Sequence, residues 1–304
     1  MRDLDPELDQ LRQASAAAGL PPMTTLTPAE ARARVAGGHR LCAAGPDVPV
    51  RDEVVAGSVP VRIYSGRSPR AVLVYAHGGG WVTGDLDYSD ELCRFVADEA
   101  GCVVVSVDYR LAPEHPFPAA LDDVAAAVSW ARSAFPGLPV GIGGDSAGGN
   151  LAAVVSQDLR DRLAFCVLVY PVVDHDLTTH SYRSNTFPIG RAEMEWFFDH
   201  YVPPDRRSDP RVSPLRAADL SGLPPTLVVL AGHDPLHDEG AAYATALAQT
   251  GVPVTVTDHP RLCHGFLRFT GASAAARDAR DHLVTSIDGL ISTMAKDPAS
   301  REVV

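Results

Sequence analysis

The sequence predicts an α/β fold, a mostly parallel β-sheet with helices on both faces. Two observations carry that reading. Short β-branched runs alternate with longer helical patterns, the order produced by parallel strands joined through helical crossovers. Several runs are apolar throughout, without alternation, as strands buried on both faces are. The chain has 304 residues, 46% hydrophobic and 21% charged, enough for a sizeable core and ordinary for a globular protein.

Taken in order, strands are expected at Val50–Val55, Val59–Tyr64, Ala71–Ala76, Cys102–Val107, Val140–Gly143, Phe165–Val169, Thr226–Ala231 and Val254–Thr257. Helices are expected at Ser89–Ala100, Ala119–Ala134, Ala147–Arg160, Glu239–Gln249 and Ala274–Ala295. Two stretches break the alternation. Residues 1–45 precede any strand, and residues 177–213 hold an aromatic cluster, Glu193–Tyr201, followed by a loop-like PPDRRSDPRVSP. Together they read as a helical cap over the strand ends; the alternative is a disordered arm plus a long surface loop. The expected organisation is an N-terminal cap segment (1–45), a core (46–176), a cap insertion (177–213) and the rest of the core (214–304).

Charge and cysteine usage narrow the partners. With 26 basic and 38 acidic residues the net charge is −12, which argues against nucleic acid or anionic membranes. The longest apolar run, Leu163–Val173, contains a proline and falls well short of the roughly 20 residues that span a bilayer. The opening MRDLDPELDQLRQ is charged, with no secretory h-region. Five cysteines lack CxxC or Cys/His metal spacing, so reduced thiols, a cytoplasmic location and no metal are expected.

The sharpest chemical signal is Gly144-Asp145-Ser146-Ala147-Gly148, a G-x-S-x-G between a predicted strand and a predicted helix. Such a turn needs glycine on both sides of the serine and presents its hydroxyl beside a helix N-terminus. A serine hydroxyl needs a base, and the base needs an orienting group. His264, in the loop after the last strand, is the expected base. The other ten of the 11 histidines read as surface or capping residues. Asp234, just past strand Thr226–Ala231, is the expected acid; Asp238 reads better as the N-cap of the next helix. The order Ser…Asp…His is that of α/β-hydrolases. His77-Gly78-Gly79-Gly80 follows strand Ala71–Ala76. The N–H groups of Gly79, Gly80 and Ala147 are therefore the expected oxyanion donors.

With these pieces in place, the chain resembles the hormone-sensitive-lipase-like (bacterial family IV) esterases. The matching segments are HGGGWVTGD (77–85), DYRLAPEHPFPAAL (108–121), GDSAGGNLA (144–152), DPLHDEG (234–240) and CHGF (263–266), in the family's order across roughly residues 50–270. The resemblance implies an α/β-hydrolase core of eight strands, a helical cap and no cofactor. It also implies Ser146 as nucleophile, Asp234 as acid and His264 as base, with Gly79, Gly80 and Ala147 at the oxyanion. Trp81 matches the aromatic residue that often follows HGGG and is expected to line the substrate pocket. The implied activity is hydrolysis of short- to medium-chain carboxylic esters. Family members often dimerise through the edge of the last strand, here Val254–Thr257.

Two other functions fit the same motifs. A biosynthetic acyltransferase or cyclase would use an identical triad, and a small-molecule receptor would keep the fold without catalysis. Turnover of a generic aryl ester separates them. Asp145 and Glu239 read as supports of the triad, and Tyr109–Glu114 as a supporting loop. Cys263 reads as a small buried apolar residue. Trp196, Phe197 and Phe198 either line an acyl pocket or pack the cap onto the core.

Overall fold

The computed structural model describes residues 3–294. Eight strands form one sheet in the order β1-β2-β4-β3-β5-β6-β7-β8. They are β1 (Val50–Val55), β2 (Val59–Ser65), β3 (Ala71–Ala76), β4 (Cys102–Val107), β5 (Val140–Asp145), β6 (Cys166–Val169), β7 (Thr226–His233) and β8 (Val254–Cys263). The pairs β1/β2 and β2/β4 are antiparallel, and every later pair is parallel. The helices are α1 (Pro6–Ala17), α2 (Pro28–Ala36), α3 (Asp90–Glu99), α4 (Ala119–Ala134), α5 (Ala147–Asp158), α6 (His180–Ser184), α7 (Arg191–Tyr201), α8 (His237–Gln249) and α9 (Ala274–Met294). Ala295, expected to end the last helix, and the rest of the expected core segment to residue 304 lie outside the described residues, as do residues 1 and 2.

The continuous apolar runs are the central strands. Every residue of β3, β4 and β5 is buried, whereas the edge strands β1 and β8 expose Val54 and Val256. Successive side chains leave a strand on opposite faces. Val72 and Val74 thus join Val124 and Val128 of α4, Leu151 of α5 and Tyr243 of α8 in one core. Leu73 and Tyr75 join Val96 of α3 and Leu283 and Ile287 of α9 in the other. Helices therefore cover both faces, as predicted.

One boundary moves in a way that matters for chemistry. β8 runs to Cys263, past the Thr257 expected from sequence, because it keeps pairing with β7 as far as His233↔Cys263 through a bulge. The polar stretch containing Pro260 hides this extension, but a proline is tolerated on an edge strand, where no neighbour claims its missing N–H.

Residues 1–45 divide into two parts. α1, capped by Asp5, buries Leu8 against the α9 side of the core. α2, started by a Thr27–Glu30 capping box, lies near the 77–85 loop: Arg32 donates to Val82 O at 2.9 Å and pairs with Glu114. A 3-10 turn at Met23–Thr25 touches α7. Among the described residues no helix is long and apolar enough to cross a membrane.

Candidate active site

Ser146 sits between β5 and α5 with φ 55° and ψ −119°, a strained conformation for a residue with a side chain. The turn is tight enough that its glycines are obligatory. A Cβ on Gly144 would lie 2.6 Å from Ala76 O, and one on Gly148 would overlap Ala76 O and sit 2.5 Å from His77 O. Ser146 N–H donates to Val169 O at 2.9 Å, pinning the turn to β6.

His264 follows β8 directly and Asp234 follows β7, so adjacent strand ends deliver both side chains beside Ser146. His264 Nε2 lies 3.0 Å from Ser146 Oγ, and its Nδ1 lies 2.8 Å from Asp234 Oδ2. Carboxylate oxygens only accept, so Nδ1–H donates to Asp234 and Nε2 is left to accept the serine proton. The other carboxylate oxygen of Asp234, Oδ1, accepts Leu236 N–H at 2.8 Å. Ser146, Asp234 and His264 are all buried. The three side chains form a serine–histidine–aspartate triad geometry.

The 77–85 loop is braced from three sides. Tyr109 OH donates to His77 O at 2.8 Å and its ring stacks on His77 with centroids 4.3 Å apart. Gly78 N–H and Tyr75 OH both donate to Asp145 Oδ1, at 3.0 and 2.9 Å. Thr83 N–H and Oγ1 both donate to Gly79 O. The backbone then turns through positive φ at Gly79 (120°) and Gly80 (61°). Burial pushes the Asp145 carboxyl up to about 6, against the pull of Tyr75 and His264. Burial also pulls His77 down to about 4, and its Nδ1–H donates to Gly78 O at 2.7 Å.

Several expectations change in detail. Asp238 is not the N-cap: α8 begins one residue earlier at His237, and Asp238 in its first turn accepts Ser181 N–H at 2.8 Å. His77 is fully buried and neutral, not a surface or capping residue, because its ring is sandwiched under the loop it begins. Glu239 accepts the Val173 and Asp174 N–H groups, and burial holds its carboxyl well above the usual range. Cys263 is buried, which pushes its thiol up.

The four aromatic candidates separate. Trp81 is fully buried, stacked on Tyr201 with centroids 4.4 Å apart and tilted against Phe198. Phe198 is buried in the same cluster. Phe197 lies directly over Gly80, where its ring occupies the space a Cβ would need. Trp196 packs on Phe197 and His200. Sequence reasoning missed Tyr170, whose ring meets His264 edge-on at 4.9 Å from a backbone φ of 36°. Nothing in the local pattern around Tyr170 signals that contact, which depends on β6 lying beside β5 and β7.

The fold and the triad geometry define a serine hydrolase of the α/β-hydrolase class. The family described by the alpha/beta hydrolase fold matches residues 73–268. Carboxylesterase NlhH of Mycobacterium tuberculosis is 43% identical over 239 residues, covering 73% of this chain and 75% of NlhH. Ethyl acetate hydrolase of Pseudomonas putida is 35% identical, over 94% of this chain and 98% of that protein. Among solved structures, the hyperthermophilic esterase of Pyrobaculum calidifontis superposes with a TM-score of 0.89 at 35% identity, covering 95% and 99% of the two chains. The chain belongs to the hormone-sensitive-lipase-like family of α/β-hydrolases, and it is a carboxylic ester hydrolase.

Proposed function

We propose that Ser146 is the nucleophile, His264 the general base and acid, and Asp234 the group that orients and charges against the imidazole. The observation that carries this is the unbroken relay from Ser146 Oγ to His264 at 3.0 Å and from His264 to Asp234 at 2.8 Å. Ser146 Oγ attacks the ester carbonyl carbon while its proton passes to His264 Nε2. The tetrahedral oxyanion is received by the N–H groups of Gly79, Gly80 and Ala147, each worth about 2.7–4 kcal/mol in comparable sites. The imidazolium then protonates the leaving alcohol, and water enters by the same relay to release the acid. Of the four aromatic candidates, Phe197 is the one we assign to substrate contact, since its ring lies directly over Gly80. Trp81, Phe198 and Trp196 hold it there.

We read the substrate as a short- to medium-chain ester. The buried nucleophile, the ring over Gly80 and the kinship with an ethyl acetate hydrolase all support a small acyl site. The Met23–Thr25 turn, α2, α6 and α7 serve as the cap. Five free thiols support a reducing compartment, the cytoplasm. The exposed Val256 on the β8 edge supports a homodimer in which two sheets continue through β8.

The test is hydrolysis of p-nitrophenyl esters from acetyl to palmitoyl, with wild type beside Ser146→Ala. Rates should peak at short chains and fall at least about 10⁴-fold in the variant. Retained activity in the pure variant would overturn the nucleophile assignment. A folded wild type with no turnover would favour a dedicated acyl-transfer enzyme or a small-molecule receptor.

A further inference from the structure

We propose that His39, Asp85 and Asp87 form a binding site for one divalent cation of the zinc type, at the seam between the N-terminal segment and the 77–85 loop. One ligand atom from each residue lies within 4.8 Å of the others. They come from separate parts of the chain: His39 from a 3-10 turn (Gly37–Leu41), Asp85 from the end of the loop, and Asp87 from the turn that follows (Leu86–Ser89).

The central pair points to a shared ligand. His39 Nε2 and Asp85 Oδ1 are both buried atoms without a hydrogen-bond partner, yet they face each other at 3.6 Å. That is too long for a hydrogen bond. It fits two ligands of one tetrahedral ion: bonds of about 2.0–2.2 Å place ligand atoms about 3.3–3.6 Å apart. The two side chains are partly exposed and form an ion pair when His39 is protonated; with His39 neutral, a shared cation would satisfy both atoms.

The donor set selects the cation. One imidazole with two carboxylates suits zinc, iron(II) or manganese(II), whereas calcium prefers an all-oxygen shell of six to eight ligands. Arg62 donates to Asp87 Oδ1 at 2.6 Å, the kind of outer partner that fixes a ligating carboxylate. A cavity of about 530 Å³, lined in part by His39, Asp87 and Tyr88, gives water and the ion a path to the remaining coordination position.

The position gives the site a consequence. Asp85 adjoins Gly84, which packs on the His77 ring at the root of the loop. Arg32 already ties α2 to the loop at Val82 O. A cation held by His39 and Asp85 adds a second tie from the same segment, so its binding should stiffen the loop and raise thermal stability.

The experiment is calorimetric titration of the EDTA-treated, tag-free full chain with zinc chloride, then with calcium chloride, alongside melting curves in each. Expected are one zinc per chain, a raised Tm with zinc, and affinity reduced at least about 10-fold in both His39→Ala and Asp85→Asn. Calcium should bind more weakly than zinc. Each variant is used only if its Tm in EDTA matches wild type, and Asp87→Asn replaces one that does not. No saturable zinc uptake, uptake equal in wild type and variants, or calcium binding as tight as zinc would each overturn the proposal. The first outcome leaves His39 and Asp85 as an ion pair alone.

Discussion

At Gly148 a side chain has nowhere to go, because β3 and the start of the 77–85 loop pass directly over it. Gly148→Ala should therefore force the Ser146 turn away from Ala76. The expected cost is about 1–3 kcal/mol, the usual range for overpacking, together with a fall in kcat larger than any change in KM. Urea unfolding and steady-state kinetics on one preparation test it, and a variant with wild-type stability would contradict the crowding at Gly148. At Phe197 a side chain already fills the space. Its ring fills the space above Gly80, so Phe197→Ala should enlarge the acyl site and move the chain-length optimum to longer p-nitrophenyl esters. An unchanged optimum would place the acyl chain elsewhere.

Among the elements, β8 and α7 carry the most consequence. β8 delivers His264 only because it continues beside β7 to Cys263. It also forms one edge of the sheet, with Val256 exposed near its start. If two copies join there, Val256→Glu places like charges across the junction and should convert a dimer to monomer in light scattering without loss of esterase activity. Identical masses for wild type and variant would remove β8 as the interface. α7 presents Phe197 to the loop while Phe198 and Tyr201 anchor it on Trp81. The sequence pattern marks this segment as aromatic and helical, but the division of labour among its rings follows from how the helix is rotated on the core.

For the molecule as a whole, two buried groups under the 77–85 loop set opposing pH dependences. His77 titrates from 6.5 when unfolded to about 4 when folded, so the stability it contributes above pH 6.5 is lost as pH falls to about 4. Asp145 moves from 3.8 to about 6, so its contribution is complete below 3.8 and gone as pH rises through about 6. Each is worth roughly 3 kcal/mol, and between pH 4 and 6 they largely offset. Asp145→Asn keeps an acceptor for Tyr75 and Gly78 but removes the compensating titration. It should lose roughly 3 kcal/mol more than wild type between pH 7 and 4, read from urea unfolding at both values. Equal losses would show that Asp145 does not titrate in that window.

What the sequence determined by itself was local. The sheet core, the strand–serine–helix turn and the places of Asp234 and His264 at strand ends were legible because each depends on residues adjacent in the chain: apolar runs, paired glycines, a turn after a strand. Tertiary structure alone decided which contacts those pieces make. It shows Asp234 bonding His264 while Asp238 turns to Ser181. It buries His77 beneath Tyr109 and brings Tyr170 edge-on to His264. It also brings His39 to Asp85. These meetings join segments tens of residues or more apart, and only the order and register of the strands brings such segments together.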